Sequence, residues 1–281
     1  MQGLRFSACV AGLAMLAVAC SSKNAPIASE TTSAMPVSAS EDPAAMPTGD
    51  ATTEASAATI EDTTVDIAND LYEFQYSYPA AAAAVPELKA RLDARSKQAL
   101  ASLTAAARTD QRSAKTDGYT YFKHAYSTTW KVVTDLPGWL SLSAEGYEFT
   151  GGAHGMSHFD ALLWNRKTGK TEAPSDLFVS GQALSTAVRD RFCKALDNER
   201  AERRNGADMS GTDFTECIDP LRQTILPGSS NGQTFDRIGF LIAPYEAGPY
   251  AEGSYEITLP VDAAVMRALR PQYRSSFSIP R

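Results

Sequence analysis

Histidine and cysteine are both scarce in this chain, three and four residues of 281. None of Cys9, Cys20, Cys193 and Cys217 forms a Cys-x-x-Cys pair, so neither a zinc ribbon nor a thioredoxin-type motif is present. No apolar run approaches the roughly 20 residues that a membrane-spanning helix needs. Basic charge is not in excess either: 26 Lys and Arg stand against 33 Asp and Glu, which argues against a nucleic-acid surface. The phosphate-binding P-loop, the G-x-G-x-x-G dinucleotide fingerprint and the G-x-S-x-G nucleophile elbow are all missing. No catalytic residue, cofactor or resident metal is therefore assigned, and a binding role is favoured over an enzymatic one.

The acidity that is present sits in one place. Met1 to Ala19 carries Arg5 as its single charge. Residues 21–64 hold seven acids (Glu30, Glu41, Asp42, Asp50, Glu54, Glu61, Asp62) and one base, Lys23, for a net charge of −6. Setting aside those seven acids and the bases Arg5 and Lys23 leaves 26 acidic and 24 basic side chains for residues 65–281, a net of −2. That nearly neutral body is long enough to bury a sizeable core without metals or many disulfides.

Ala8 to Ala19 (ACVAGLAMLAVA) is a short apolar run behind Arg5, which fits a signal peptide over residues 1–19 and is too short to span a bilayer. The run ends Ala17-Val18-Ala19-Cys20-Ser21, similar to a bacterial lipobox, with Cys20 as the acylated N-terminus of the mature chain. An ordinary cleaved signal is the alternative. Ser21 after the cysteine fits sorting to the outer membrane of a Gram-negative cell, on its periplasmic side. Residues 20–64 are rich in Ser, Thr, Ala and Pro without an aromatic residue, so they cannot bury enough apolar surface to offset ordering entropy. A disordered acidic tether is expected, with an end-to-end distance of roughly 35–40 Å. Such a lipid-anchored chain would have no cytoplasmic portion and would signal only through a partner.

From residue 65 the patterning is mixed. Leu71 to Tyr78 alternates aromatics and reads as a strand stopped by Pro79. Val85, Leu88, Leu92, Ala99 and Leu103 recur at helical spacing to about Thr109, with Pro86 tolerated in the first turn. Strands are expected at Tyr119–Thr134, Trp139–Phe149 and Ser157–Asn165, then a turn at Arg166–Lys170 and a second helix from Ser180 or Gly181. Asn198–Thr212 reads as a loop or frayed helix end. Late strands near Phe235–Ala243 and Ser254–Leu259 and a short helix over Val261–Leu269 complete the pattern. Runs of adjacent strands broken by single helices predict an α+β fold, a mainly antiparallel sheet with helices packed on one side, in one domain over 65–281.

Cys193 and Cys217 are the two cysteines of the body. An oxidising compartment predicts a disulfide between them, against two buried thiols or a metal pair, the last disfavoured because no histidine lies near.

Two segments stand out as candidate binding loops. Thr150-Gly151-Gly152-Ala153-His154-Gly155 places three glycines around a histidine, which permits positive φ and close backbone approach. His154 is either a loop organiser or a partner contact. A metal site from His154, His158 and Asp160 has poor spacing, because the glycines break any helix that would align the imidazoles. Ala243–Gly253 is stiffened by prolines and presents Tyr245, Glu246 and Tyr250. Tyrosines offer large contact area at low entropic cost, which suits a binding surface, whereas capping a sheet edge is the plainer alternative.

The ordered set Thr-Gly-Gly-Ala-His-Gly, then Thr168-Gly169-Lys170, Ser175-Asp176-Leu177-Phe178, a helix, and Tyr245-Glu246-x-Gly248-Pro249-Tyr250-Ala251-x-Gly253 with Leu259-Pro260 is similar to one envelope family. It resembles the extracytoplasmic domain of RsiV-like anti-sigma factors, which is also found beside PdaC-type peptidoglycan deacetylases. The resemblance covers roughly residues 65–275 and implies an α+β domain of a kind not itself known as a catalyst. In the RsiV-like branch that domain binds lysozyme. It thus implies a lysozyme-like protein or peptidoglycan as partner, with Gly151, Gly152, His154, Tyr245, Glu246 and Tyr250 as candidate contacts. This chain lacks the transmembrane and sigma-binding segments of one branch and the catalytic domain of the other. The rivals are a metal-dependent peptidoglycan hydrolase or deacetylase using His154, His158 and Asp160, and a passive peptidoglycan-binding lipoprotein.

Overall fold

The structure, a computed structural model, describes residues 60–206 and 214–281. The expected signal peptide, Cys20 and all but the last five residues of the expected tether lie outside the described residues.

Six strands form one sheet in chain order: β1 (Thr63–Ala68), β2 (Tyr72–Tyr78), β3 (His124–Leu136), β4 (Trp139–Phe149), β5 (Met156–Asn165) and β6 (Lys170–Glu172). All neighbours are antiparallel except β2 and β3, which run parallel because the chain returns between them through α1 (Ala80–Ala83) and α2 (Pro86–Asp117). After α3 (Gly181–Arg203), strands β7 (Thr224–Gly228), β8 (Arg237–Ile242) and β9 (Tyr255–Pro260) make a separate antiparallel sheet, and α4 (Ala263–Ala268) follows. The α+β class and mainly antiparallel pairing expected from the sequence are borne out. The second sheet is an addition that strand patterning alone did not separate from the first.

Local rules set the helix ends. Pro86 occupies the first turn of α2, where its missing N–H is not needed, and Gly118 stops the helix with φ +76°. The helix therefore runs eight residues past Thr109 on polar, mostly exposed turns. Ser180 caps α3 by accepting from the Ala183 N–H at 3.1 Å.

Two apolar cores lie on opposite faces of the large sheet. On one face α2 covers Phe74, Tyr76, Trp130, Leu140 and Leu142; on the other, α3, α4 and the small sheet enclose Leu136, Trp139 and Leu163. A bulge at Val133 explains how β3 serves both: Val132 pairs with Leu142 but Thr134 pairs with Ser141, so the inward parity flips. Trp130 joins the first core and Leu136 the second.

Cys193 and Cys217 are disulfide-bonded with Cα atoms 5.3 Å apart, as the oxidising-compartment reading expected. The bond joins the middle of α3 to the segment leading into β7. β1 begins at Thr63, so Thr63 and Thr64, expected in the tether, are strand residues at the sheet edge.

Candidate functional site

Two loops that are distant in sequence meet at one end of the sheets. Between β4 and β5, Gly151 and Gly152 adopt φ +100° and +93°, a conformation open to glycine and strained for other residues. The turn carries His154 out to solvent, where its ring stacks on Tyr250 with centroids 3.8 Å apart and an interplanar angle of 21°. Tyr245 closes the group, 5.6 Å from Tyr250 and 6.1 Å from His154 between centroids.

Hydrogen bonds fix the histidine's orientation. His154 Nδ1 is 3.0 Å from the Gly155 carbonyl, which can only accept, so Nδ1 carries the proton. Nε2 is then free to accept from the Tyr245 hydroxyl at 3.2 Å. The Tyr250 hydroxyl donates to the same Gly155 carbonyl at 3.0 Å. Gly155 is buried, and a Cβ there would run into the Tyr147 ring and the Glu148 carbonyl. Glycine is required at this position by space.

The tyrosine loop is held from behind by the end of α3. Arg204 makes a two-point contact with Glu252, Nε to Oε1 at 2.8 Å and Nη2 to Oε2 at 3.0 Å. Arg203 Nη1 donates to the Glu252 and Ser254 carbonyls at 2.6 and 2.7 Å, and its guanidinium lies 3.8 Å from the Tyr255 ring centroid. Arg200 Nε donates to the Ala247 carbonyl at 2.9 Å. The Arg204 guanidinium holds the Glu252 carboxyl below the usual carboxylate range against the opposing effect of burial, and Tyr255 adds to the lowering. Burial, with the Glu252 hydrogen bond second, pushes the Tyr255 hydroxyl up. Gly248 makes room for this carboxylate, since a Cβ there would meet Glu252 Oε2.

The backbone of Tyr245 is itself unusual. Its φ is +69° in the turn closed by the Glu246 N–H and the Ala243 carbonyl at 3.2 Å, and the side chain is 46% exposed. A bulky residue in the left-handed region is strained, and such strain gathers at functional surfaces.

Of the six residues singled out from the sequence, His154, Tyr245 and Tyr250 are in mutual contact. Glu246 follows Tyr245 on the same turn with an exposed side chain. Gly151 and Gly152 instead line a hollow of about 560 Å³ at the end of α2, with Asp110, Tyr119 and Phe122. His158 and Asp160 are not brought to His154. They face α2 from β5, His158 lying over Gly146 and Asp160 pairing with Arg95 at 2.6 Å. The strand's period of two directs them there, while His154 turns toward the tyrosine loop. Among the described residues, no group of three or more His, Cys, Asp and Glu is placed to hold a metal ion.

The arginine clamp is not evident from the sequence, where Asn198–Thr212 reads as a charged loop or a frayed helix end; α3 in fact continues to Arg203. Arg200, Arg203 and Arg204 do share the i, i+3, i+4 spacing of one helix face, and that was the available signal.

Residues 66–157 match the family described as deacetylase PdaC. The match covers this segment, about a third of the chain. It runs from β1 into the first residues of β5, so it contains α2 and His154, whereas Tyr245 and Tyr250 lie beyond it. Among solved structures the chain resembles a DUF3298-family protein from Bacteroides fragilis, at 15% identity and a TM-score of 0.47 over 74% of this chain and 92% of that one. A DUF3298-family protein from Pseudomonas aeruginosa matches at 18% identity and a TM-score of 0.44 over 79% of this chain and 98% of that one. No curated protein matches.

Proposed function

We propose that this chain is a lipid-anchored envelope protein that binds a protein partner through the His154, Tyr245 and Tyr250 face. One observation carries the reading: a stacked His154–Tyr250 pair, with the Tyr245 ring tilted against it, stands at the surface and is clamped from behind by Arg200 and Arg203 of α3 and by Arg204 just past its end. Rigid tyrosines lose little side-chain entropy on contact and supply much of the binding energy where they occur at interfaces. The family resemblance suggests a lysozyme-type muramidase, which would make the chain a decoy, inhibitor or sensor.

The name of the matched family raises deacetylation as the rival. For this chain that reading rested on His154, His158 and Asp160, which the fold sends to different surroundings. Anchoring would follow from acylation of Cys20.

The test is surface plasmon resonance with the full chain immobilised and lysozyme in solution. Saturable binding is expected, weakened by about tenfold or more in His154→Ala and Tyr250→Ala, equivalent to ~1.4 kcal/mol. No binding at about 100 µM, some 5–6 kcal/mol of affinity, would remove the partner. Stoichiometric zinc in the purified protein would favour the rival.

A further inference from the structure

On the α2 side of the large sheet, the middle strand is hollow. Ala144 on β4 pairs with Trp130 on β3 and with Asp160 on β5; Gly146 pairs with Thr128 and His158. Small residues in the central row between large ones leave a trough along β4. α2 walls it from above through Arg95, Ser102 and Ala106, giving a cavity of about 660 Å³. That volume lies within the range of small-molecule sites. Gly146 lets the His158 imidazole lie across β4 as the end of the trough's wall: a Cβ at that position would collide with the ring.

The two long walls differ in chemistry. On β3, the half-buried Tyr126 is stacked against Phe74, centroids 5.5 Å apart and planes 10° from parallel. Trp130 is fixed beside it by its indole N–H, which donates to the Tyr76 hydroxyl at 2.8 Å. On β5, His158 is exposed, and Asp160 accepts from Arg95 at 2.6 Å and from the Ala161 N–H at 2.7 Å. Arg95 also lies over the Trp130 ring, 5.4 Å from its centroid. The arginine is neutralised by Asp160, and Glu148 pairs with Tyr126 at the open end. The trough thus offers no net cationic patch for a phosphate. Its polar wall and open side do not suit an acyl chain. A ligand that fits both walls has one apolar face and hydrogen-bonding groups around its edge. A pyranose ring has that form, with C–H groups on its faces and hydroxyls at its rim.

We propose that the trough between α2 and strands β3–β5 binds a short neutral oligosaccharide, with sugar faces on Tyr126 and hydroxyls toward His158, Asp160 and Glu148. It shares no lining residue with the His154–Tyr245–Tyr250 cluster, so the proposal does not rest on the protein-partner reading, and each can fail without the other.

Calorimetric titration of the full chain tests it, with triacetylchitotriose, cellotriose and inorganic phosphate as separate probes. Saturable binding of at least one trisaccharide is expected, with a Kd of about 0.1–1 mM. Ser102 is an exposed helix position that faces the trough, so Ser102→Trp fills it without removing a core contact, and abolishes the binding while the thermal melt stays unchanged. Tyr126→Ala weakens it by about tenfold. The proposal is overturned by no saturation with either sugar up to about 10 mM, by phosphate binding more tightly than both sugars, or by sugar binding that Ser102→Trp leaves intact.

Discussion

The imidazole of His154 lies on the ring of Tyr250, centroids 3.8 Å apart and planes 21° from parallel, and the Tyr250 hydroxyl donates to the carbonyl of Gly155 beside it. The glycine loop after β4 and the later tyrosine loop are thereby one surface. Stacked aromatic pairs contribute about 0.5–1.5 kcal/mol beyond their buried area. Alone that is too little to order two exposed loops, and α3 supplies the rest of the support from below. The arginine clamp and the ring stack act in series: one sets the loop's position, the other its outward face.

Tyr245 shows the cost of that arrangement. With φ at +69° it keeps an L side chain in the left-handed region, which costs about 1–2 kcal/mol. Tyr245→Ala removes the ring and keeps the strain; Tyr245→Gly removes both. The glycine variant should be more stable than the alanine variant by about 1 kcal/mol in urea melts, after the added chain entropy of glycine is set against the relieved strain. Both should lose partner binding alike. An alanine variant as stable as the glycine one would show that the turn is not strained.

Glu252 makes the clamp sensitive to acid. Its carboxyl is held below the ordinary range, chiefly by Arg204, so the unfolded state takes up a proton first as pH falls. The stabilisation is complete above the ordinary glutamate value of about 4.3 and is lost as pH drops through the depressed one. Glu252→Gln should destabilise the neutral-pH protein by about 2 kcal/mol, since a hydrogen-bonded charge is lost from a largely buried pair. It should also flatten the fall in melting temperature below about pH 4.5. An unchanged acid limb in the variant would assign that limb to other carboxylates.

Much of the fold was legible because the longest elements announce themselves. Trp139–Phe149 is a strand over the same residues in sequence and structure, and the apolar period from Val85 to Leu103 marks α2 correctly. What escaped was short or punctuated. β6 has only three residues and starts at Lys170, the last residue of the expected turn, and β7 contains Pro227, which is tolerated because β7 is an edge strand of its sheet. The site was half legible: glycines and tyrosines pointed to two loops, but only tertiary packing stacks His154 on Tyr250. The β4 trough was hidden altogether, since a hollow over Ala144 exists only through its cross-strand neighbours Trp130 and Asp160.

The Cys193–Cys217 bond links stability to the same surface. It closes a separation of 24 residues, for which the chain-entropy relation gives about 3–4 kcal/mol. For a body of this size that corresponds to a fall of about 10 °C in melting temperature in a Cys193→Ser, Cys217→Ser double variant. The segment it pins also serves the clamp: the Glu216 carbonyl accepts from Arg200 at 3.0 Å and the Phe214 carbonyl from Arg204 at 3.4 Å. Releasing it frees two arginines that hold the tyrosine loop. Partner binding measured well below the variant's melting temperature should therefore weaken, by about tenfold for ~1.4 kcal/mol of lost loop order. A variant that melts lower yet binds as tightly as the wild type would confine the disulfide's role to the unfolded chain and separate it from the clamp.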